Sequence, residues 1–382
     1  MKKLCLFPLI LILVIIVVPA CEKEKELAIP VVHFDEYEDY LLSNVAPKCV
    51  GMQYCFSQNG QLVLNNATGK SRLPANGGNI SFHPLQRKSL HSVSKTITAM
   101  AMLFELTYRN VDVHSPVLPF LPSDWNIDPD LRIMNPTFHQ LLTHTSGLKG
   151  TLDSYSAMKK YIAEDVLLDT VKNWDYQNVN YTLMRILINN IGPGFRATND
   201  AYLQQNGETE FARYLAEGYV TRVALRLEGD AKLPAAISPK VWDSAEFPVP
   251  VYMYDFANLS TPGYVHTDQT LFCGAGGWYM NSKELNQFLS YLVQDQIPHV
   301  SWNVMKTNEY GCYEKEKKGI KYYTHNGASG SRADNCGGRS VWVYFPDKEV
   351  IVSIQINSSN NAFTMAELED MVVDGYIASY HG

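Results

Sequence analysis

The sequence has no surplus of positive charge. Thirty-nine Asp and Glu stand against 32 Lys and Arg, a formal net charge of −7. No stripe of basic residues interleaved with aromatics is present, so the electrostatic footprint of a nucleic-acid-binding protein is missing and no such partner is expected. There is no Cys-x-x-Cys pair and no His/Cys cluster at ligand spacing, so neither a zinc site nor another cofactor is expected. There is no internal repeat. Charged residues make up only 19% and hydrophobic residues 46% of 382 positions, an ordinary globular composition that argues against disorder.

The N-terminus carries the first positive signal. Met1-Lys2-Lys3 is basic, and Leu4 to Val18 is apolar apart from Pro8. That run is short of the ~20 residues of a membrane span and suits the core of an export signal. Val18-Pro19-Ala20-Cys21 follows and resembles a bacterial lipobox, which implies cleavage before Cys21 and lipidation there. The expectation is a lipoprotein signal peptide over 1–20, a lipidated tether over 21–35 that includes the charge run Glu22–Glu26, and a folded domain over 36–382. The chain then reads as an exported bacterial lipoprotein, held to a membrane by lipid on Cys21 and facing the periplasm or the cell surface. With Cys5 removed and Cys21 lipidated, five of the seven cysteines remain: Cys49, Cys55, Cys273, Cys312 and Cys336. Export permits disulfides, an odd number leaves at least one thiol unpaired, and the pairing stays open.

Periodicity divides the domain. Asp35–Val45 suggests a short helix. Asn59-Gly60 between the apolar stretches Val50–Phe56 and Gln61–Leu64 is a hairpin signal. Ser92 to Tyr108 is apolar nearly all round, a helix buried between other elements. Thr137–Thr143, Val179–Ile191 and Ser282–Val293 read as further helices. Lys321–His325, Ser340–Phe345 and Glu349–Ile356 read as strands, with a turn at Pro346-Asp347-Lys348, and Ala362–His381 as a closing helix. The fold class expected is α+β, an α/β sandwich. An antiparallel sheet built from about 45–91 and 320–382 would be flanked by helices, with a mainly helical lobe over about 96–290.

Three motifs carry chemistry. Ser92 and Lys95 share a helical face one turn apart at the start of the apolar helix. There, backbone N–H groups are free and a desolvated lysine becomes a plausible base for the hydroxyl. Ser146/Lys149 and Ser156/Lys159 have the same spacing but open no such helix. Tyr176-Gln177-Asn178 offers a phenol that can shuttle a proton and an amide that can hold both a lysine head and a substrate amide. Tyr108-Arg109-Asn110 and Tyr279-Met280-Asn281 repeat the pattern at helix ends. His325-Asn326-Gly327-Ala328 lies on an expected strand, where Gly327 admits close approach and the Ala328 N–H, with that of Ser92, would make an oxyanion hole. Lys317-Lys318-Gly319 is a nearby decoy in a charged run that reads as exposed loop.

Taken in order, Ser92-Val93-Ser94-Lys95, Tyr176-Gln177-Asn178 and His325-Asn326-Gly327 resemble the motifs of the penicillin-recognising serine hydrolases. The Tyr-x-Asn form is most similar to the class C β-lactamases and their esterase and D-aminopeptidase relatives. Gln140–Leu148, Gly274–Tyr279 and Val341–Ile356 also look like that family, and the resemblance runs from about residue 45 to the end. It implies the β-lactamase/transpeptidase-like fold and an acyl-Ser92 intermediate on an amide, ester or D-amino-acid peptide. It further implies that Lys95 and Tyr176 share acid–base duty, that Asn178 orients substrate, and that Ser92 and Ala328 form the oxyanion hole. His325 stands where true β-lactamases carry lysine. A neutral imidazole is a poorer carboxylate partner, so a peptidase or esterase of the cell envelope is favoured over a β-lactamase. A non-catalytic sensor of cell-wall fragments is the alternative outside enzymes. His144-Thr145-Ser146-Gly147 reads as a structural turn after a helix, and Phe195–Pro250 carries no family pattern and is expected to reshape the cleft.

Overall fold

Alternation along the central strands builds a sheet with two buried faces. This computed structural model describes residues 31–127, 136–151, 154–163, 173–235, 237–239, 247–329, 336–360 and 363–381. Its main sheet comprises β1 (Gly51–Gln58), β2 (Gln61–Arg72), β3 (Ile80–Ser81), β4 (Tyr313–Lys317), β5 (Ile320–Ala328), β6 (Arg339–Phe345) and β7 (Val350–Ile356). The strands run β3-β2-β1-β7-β6-β5-β4 across the sheet, each pair antiparallel. Early and late chain segments therefore share one sheet, as the sequence leads one to expect. Asn59 and Gly60 turn β1 into β2 with φ of 51° and 73°, the sign that a tight hairpin requires.

The helices are α1 (Phe34–Asn44), α2 (Ser94–Tyr108), α3 (Phe138–Leu142), α4 (Tyr155–Ala163), α5 (Asn178–Leu187), α6 (Phe195–Ala224), α7 (Ser282–Val293), α8 (Trp302–Asn308) and α9 (Met365–Ala378). Met52, Tyr54 and Phe56 of β1, Val341, Val343 and Phe345 of β6, and Val350, Val352, Ile354 and Ile356 of β7 share one core with Tyr37 and Leu41 of α1 and Val372 and Tyr376 of α9. The alternate residues Trp342, Tyr344 and Ile351 join a second core with α2, α5 and α7. Each large apolar side chain buried this way contributes roughly 1.5–3 kcal/mol. Toward α7 the central strands present polar side chains that hydrogen-bond across the interface. Ser353 Oγ donates to Ser282 O at 2.7 Å and Gln355 Nε2 to Met280 O at 3.1 Å, while Gln53 Oε1 accepts from Ser282 N at 3.1 Å.

The structure departs from the sequence expectation at several places. Val31–Val32, within the expected tether, pairs with Tyr380–His381, and the closing helix stops at Ala378. Residues 1–30, with the export signal and Cys21, lie outside the described residues. Lys318 and Gly319 form an exposed turn, as expected, but the charged residues before them, Tyr313–Lys317, are the edge strand β4 of a hairpin rather than loop. Ser92 sits on a 3-10 turn, His91–Val93, with α2 proper starting at Ser94. Phe195–Ala224 is a helix interrupted by non-helical backbone at Gly207, and its Tyr219 hydroxyl lies 2.6 Å from Thr98 Oγ1 on α2. Cys49, Cys55, Cys273 and Cys312 are buried free thiols.

Sheet and helical lobe are joined by a buried ion pair. Arg87, 2% exposed, donates to Glu284 through Nε at 3.0 and 3.1 Å and through Nη2 at 2.7 Å. Glu284 Oε2 also accepts from Asn281 N at 2.9 Å, completing the capping box of α7. Breaking a buried pair strands the remaining charge. Glu284→Ala is expected to lower the unfolding free energy by about 3 kcal/mol or more, read from urea denaturation midpoints.

Candidate active site

The turn that carries Ser92 is held from three sides. Lys88–Ser89 pairs with Tyr279–Met280, Leu90 N donates to Trp278 O at 2.8 Å and Val93 N to Leu90 O at 3.2 Å. Behind it, the hydroxyls of α2 are tied to neighbouring loops: Thr96 Oγ1 donates to Gly311 O at 2.7 Å and Thr98 Oγ1 to Gly274 O at 2.6 Å. A helix that is apolar nearly all round thus keeps its few polar groups satisfied inside the core.

Lys95 is fully buried. Its Nζ lies 2.8 Å from Asn178 Oδ1, 2.8 Å from Ala275 O and 3.2 Å from Ser92 Oγ, and no carboxylate of the described residues reaches it. Burial pushes its pKa well below the ordinary lysine value, which favours the free amine. In that form two N–H bonds serve the two carbonyl-type oxygens and the lone pair faces the Ser92 hydroxyl. The two other Ser-x-x-Lys copies fail this test. Lys149 pairs with Asp175, and Lys159 binds Asp124 at 2.6 Å and Glu208 at 2.7 Å, so each has the acid partner that Lys95 lacks.

Tyr176 precedes α5, and Asn178 is the first residue of that helix. Burial raises the Tyr176 phenol to about 12, against the opposing pull of its hydrogen bond with Ser92, so it is a proton donor at neutral pH. Lys95 Nζ stands 4.8 Å above its ring. The His144-Thr145-Ser146-Gly147 turn fixes this segment from outside. His144 O accepts from Asp175 N at 2.9 Å, His144 Nδ1 accepts from Gln177 N at 3.2 Å, and Ser146 Oγ donates to Asn180 Oδ1 at 2.5 Å. Ser146 and His144 are thus engaged with the Tyr176 segment rather than with each other, in keeping with a structural turn. The other Tyr-x-Asn copies do different work: Asn281 caps α7, and Tyr108 is exposed at the end of α2.

His325, Asn326, Gly327 and Ala328 end β5 beside the nucleophile. A Cβ on Gly327 would fall 2.5 Å from Ser92 N and 2.9 Å from Leu90 O, so only glycine lets the strand lie this close. His325 is buried, with Nδ1 2.7 Å from Asn326 O. Its pKa is lowered to about 3 by burial first and by Lys95 second, so it brings no positive charge to the cleft. Lys315 binds Glu369 at 2.6 Å, and Asn326 Nδ2 donates to the same carboxylate at 2.8 Å. The side chain that follows His325 is therefore tied to α9.

Ser92 and Ala328 lie where two cavities meet. One, of about 640 Å³, is lined by Tyr176, His325, Trp174, Tyr313, Glu309 and Met365 among others. The second, of about 320 Å³, is lined by Asn178, Ala275, His91, Thr151, Gln269 and Phe272 among others. Of the seven cleft residues singled out from the sequence, six line one or both cavities, and Lys95, fully buried, touches Ser92 and Asn178 from behind them. Among the described residues, none of Phe195–Pro250 lines either cavity. The sequence reading missed Ala275 O as a partner of Lys95. Its signal was the glycine cluster: Gly274 and Gly277 have φ of 118° and 94°, and a Cβ on Gly274 would meet Tyr181 O at 2.7 Å. It also missed His91 and Lys88, which flank the nucleophile turn.

Comparison with known proteins agrees with this architecture. The family model described as Beta-lactamase matches residues 43–374. A putative penicillin-binding protein PbpX of Bacillus subtilis (strain 168) is 22% identical over 314 residues, 80% of this chain and 70% of that protein. The D-amino acid amidase of Ochrobactrum anthropi SV3, complexed with L-phenylalanine amide, superposes with a TM-score of 0.64 at 15% identity, covering 91% of this chain and 99% of its own. A D-stereospecific amidohydrolase from Streptomyces sp. gives 0.61 at 18% identity, over 90% and 98%. At these identities the structural likenesses speak for the fold.

Two buried neutral histidines make the site acid-sensitive. His144, like His325, is lowered to about 3 by burial and then by Lys95. Below about pH 6.5 the unfolded chain takes up protons that the folded chain refuses until about pH 3, so stability falls as pH falls. Chemical denaturation is expected to show a lower unfolding free energy at about pH 4.5 than at about pH 7, with a shallower decline in His325→Asn.

Proposed function

The chain belongs to the Beta-lactamase family, and from that premise we propose that it is an acyl-transferring serine hydrolase with Ser92 as nucleophile. The observation that carries the reading is the buried, acid-free Lys95 amine 3.2 Å from Ser92 Oγ. In the proposed cycle Ser92 Oγ attacks the substrate carbonyl carbon and its proton passes to Lys95 Nζ. The oxyanion sits between the N–H groups of Ser92 and Ala328. Tyr176 gives its proton to the leaving nitrogen or oxygen as the carbonyl–heteroatom bond breaks, and recovers one from Lys95. Water, deprotonated by the same pair, then cleaves the acyl-Ser92 ester and restores the serine.

The substrate we infer is an amide, ester or D-amino-acid peptide, handled as a peptidase or esterase in preference to a β-lactam. The support is His325, neutral and buried on the strand that would face a β-lactam carboxylate, and the hydrogen bond of Asn326 to Glu369. The named relatives, a putative penicillin-binding protein, a D-amino acid amidase and a D-stereospecific amidohydrolase, are compatible with this choice. A cell-envelope setting, with a lipid on Cys21 as the anchor, rests on the sequence of residues 1–26. No described helix is long and apolar enough to cross a membrane.

Intact-protein mass after exposure to a penicillin, with Ser92→Ala in parallel, tests the nucleophile. An adduct on the parent and none on Ser92→Ala would identify the nucleophile, whereas no adduct on either, with ester cleavage lost in Ser92→Ala, is the outcome expected of a cleft that disfavours β-lactams. Adduct on both would remove Ser92 from the chemistry, and nitrocefin turnover rivalling ester turnover would reverse the preference against β-lactams. Lys95→Met is expected to lower kcat/KM on an activated ester by about 10³-fold, the scale of a lost general base. Gly327→Ala, by pushing β5 off the Ser92 amide, is expected to lower kcat by about 10²-fold with little change in KM.

A further inference from the structure

Four residues ahead of the nucleophile stands a second buried lysine that the acyl-transfer cycle does not use. Lys88 is 2% exposed. Its Nζ donates to Ser89 O at 2.9 Å and Ser340 Oγ at 3.3 Å, and lies 3.2 Å from His91 Nε2. No carboxylate of the described residues is within reach. Taking an ammonium out of water without an acid partner is unfavourable by several kcal/mol, and burial lowers its pKa to about 7.

The histidine it touches is also held against local preference. His91, immediately before Ser92, has φ of 51°, where a side chain adds strain of about 1 kcal/mol or more and glycine would add none. Its ring is 6% exposed and lines the smaller cavity beside Ser92. With Nε2 occupied by the lysine ammonium, the ring proton resides on Nδ1, which has no protein acceptor among the described residues. The rest of the cavity is rich in hydroxyl and amide groups, including Thr151, Asn178, Gln269 and Ser329, together with His266, whose ring centroid is 6.0 Å from that of His91. No Asp or Glu of the described residues lines it.

The chemistry also decides which half of a substrate enters. Tyr176, the proton donor to the leaving group, lines the larger cavity, so the leaving group lies there and the acyl portion in the smaller one. We propose that the smaller cavity is an acyl subsite for substrates whose acyl portion bears a carboxylate, with His91 as the donor and Lys88 as the buried counter-charge. The proposal rests on the acyl-transfer reading of Ser92. The substrate would supply the negative charge that the fold withholds from Lys88.

Two esters with one leaving group isolate the acyl group: the mono-p-nitrophenyl ester of glutarate and p-nitrophenyl valerate, which differ by a terminal carboxylate. The parent is expected to favour the glutarate ester in kcat/KM by at least about tenfold, the low end of what a charge-assisted hydrogen bond supplies. Lys88→Met and His91→Gly are each expected to bring that ratio close to one. The Ser92→Ala protein provides the background rate and, titrated calorimetrically with free glutarate, reads the subsite without chemistry. Equal rates on the two esters, or an undiminished preference in both variants, overturn the subsite. Ester cleavage that is unchanged in Ser92→Ala overturns the acyl-transfer reading instead, and glutarate binding that Lys88→Met abolishes would then leave the anion site standing by itself.

Discussion

A lysine with no acid partner is the constraint around which this molecule is arranged. Lys95 Nζ needs acceptors that are strong but uncharged, and the fold brings two of them from distant parts of the chain, Asn178 Oδ1 and Ala275 O. A carboxylate in either place would keep the ammonium charged and end its use as a base. Supplying a backbone carbonyl requires a loop to press against α2 and α5, and Gly274 and Gly277 are there because that loop needs positive φ and contact with Tyr181 O. Supplying the amide requires α5 to begin at the cleft, which the His144–Gly147 turn secures through Asp175 and Gln177. Much of the helical lobe can be read as the means of desolvating one amine while still hydrogen-bonding it.

The sheet answers a different requirement. Ser92 N and the end of β5 must approach within backbone contact, and Gly327 is the position where they do. That closeness is tolerated because β5 is braced on both sides, by β6 along its length and by the β4 hairpin at the edge. The polar inner faces of β1 and β7 against α7, with Arg87 and Glu284 beside them, hold the sheet and the nucleophile helix in a single register. Hydrogen-bonded polar contacts of this kind fix relative position more narrowly than apolar packing, which tolerates sliding.

Motif order made the nucleophile, base, phenol and strand legible in the sequence, because each needs a particular residue type at a particular spacing. The sheet was legible through period-two alternation in β1, β6 and β7, where both faces are covered and the hydrophobic pattern is strict. It failed at β4, Tyr-Glu-Lys-Glu-Lys, whose partly exposed charged side chains belong to an edge strand rather than a loop. Charge and length cannot separate those two states without the partner strand. Ala275 was not legible as a contributor because a backbone carbonyl carries no residue identity. His91 and Lys88 were passed over for a related reason. Their meaning lies in what is missing around them, a carboxylate and a glycine, and absence of a spatial neighbour has no linear signature.

The distribution of charge across the cleft follows from these pieces. Resemblance to β-lactamases places a lysine where this chain has His325, so the strand side of the larger cavity has lost its fixed cation, and the carboxylate of Glu309 stands at its mouth. Lys315, which lines that cavity, is already committed to Glu369. On the opposite side of Ser92, Lys88 is buried with no acid of the described residues in reach. Positive potential has in effect moved from the leaving-group side of the nucleophile to its acyl side. A field of that sign stabilises an anion in the smaller cavity and disfavours one in the larger. A β-lactam, whose carboxylate lies on the leaving-group side, is oriented against it, whereas an acyl donor acidic at its far end is oriented with it. On the proposed acyl subsite, the departure at His325 and the buried Lys88 would be two consequences of one preference about where in the substrate the negative charge sits.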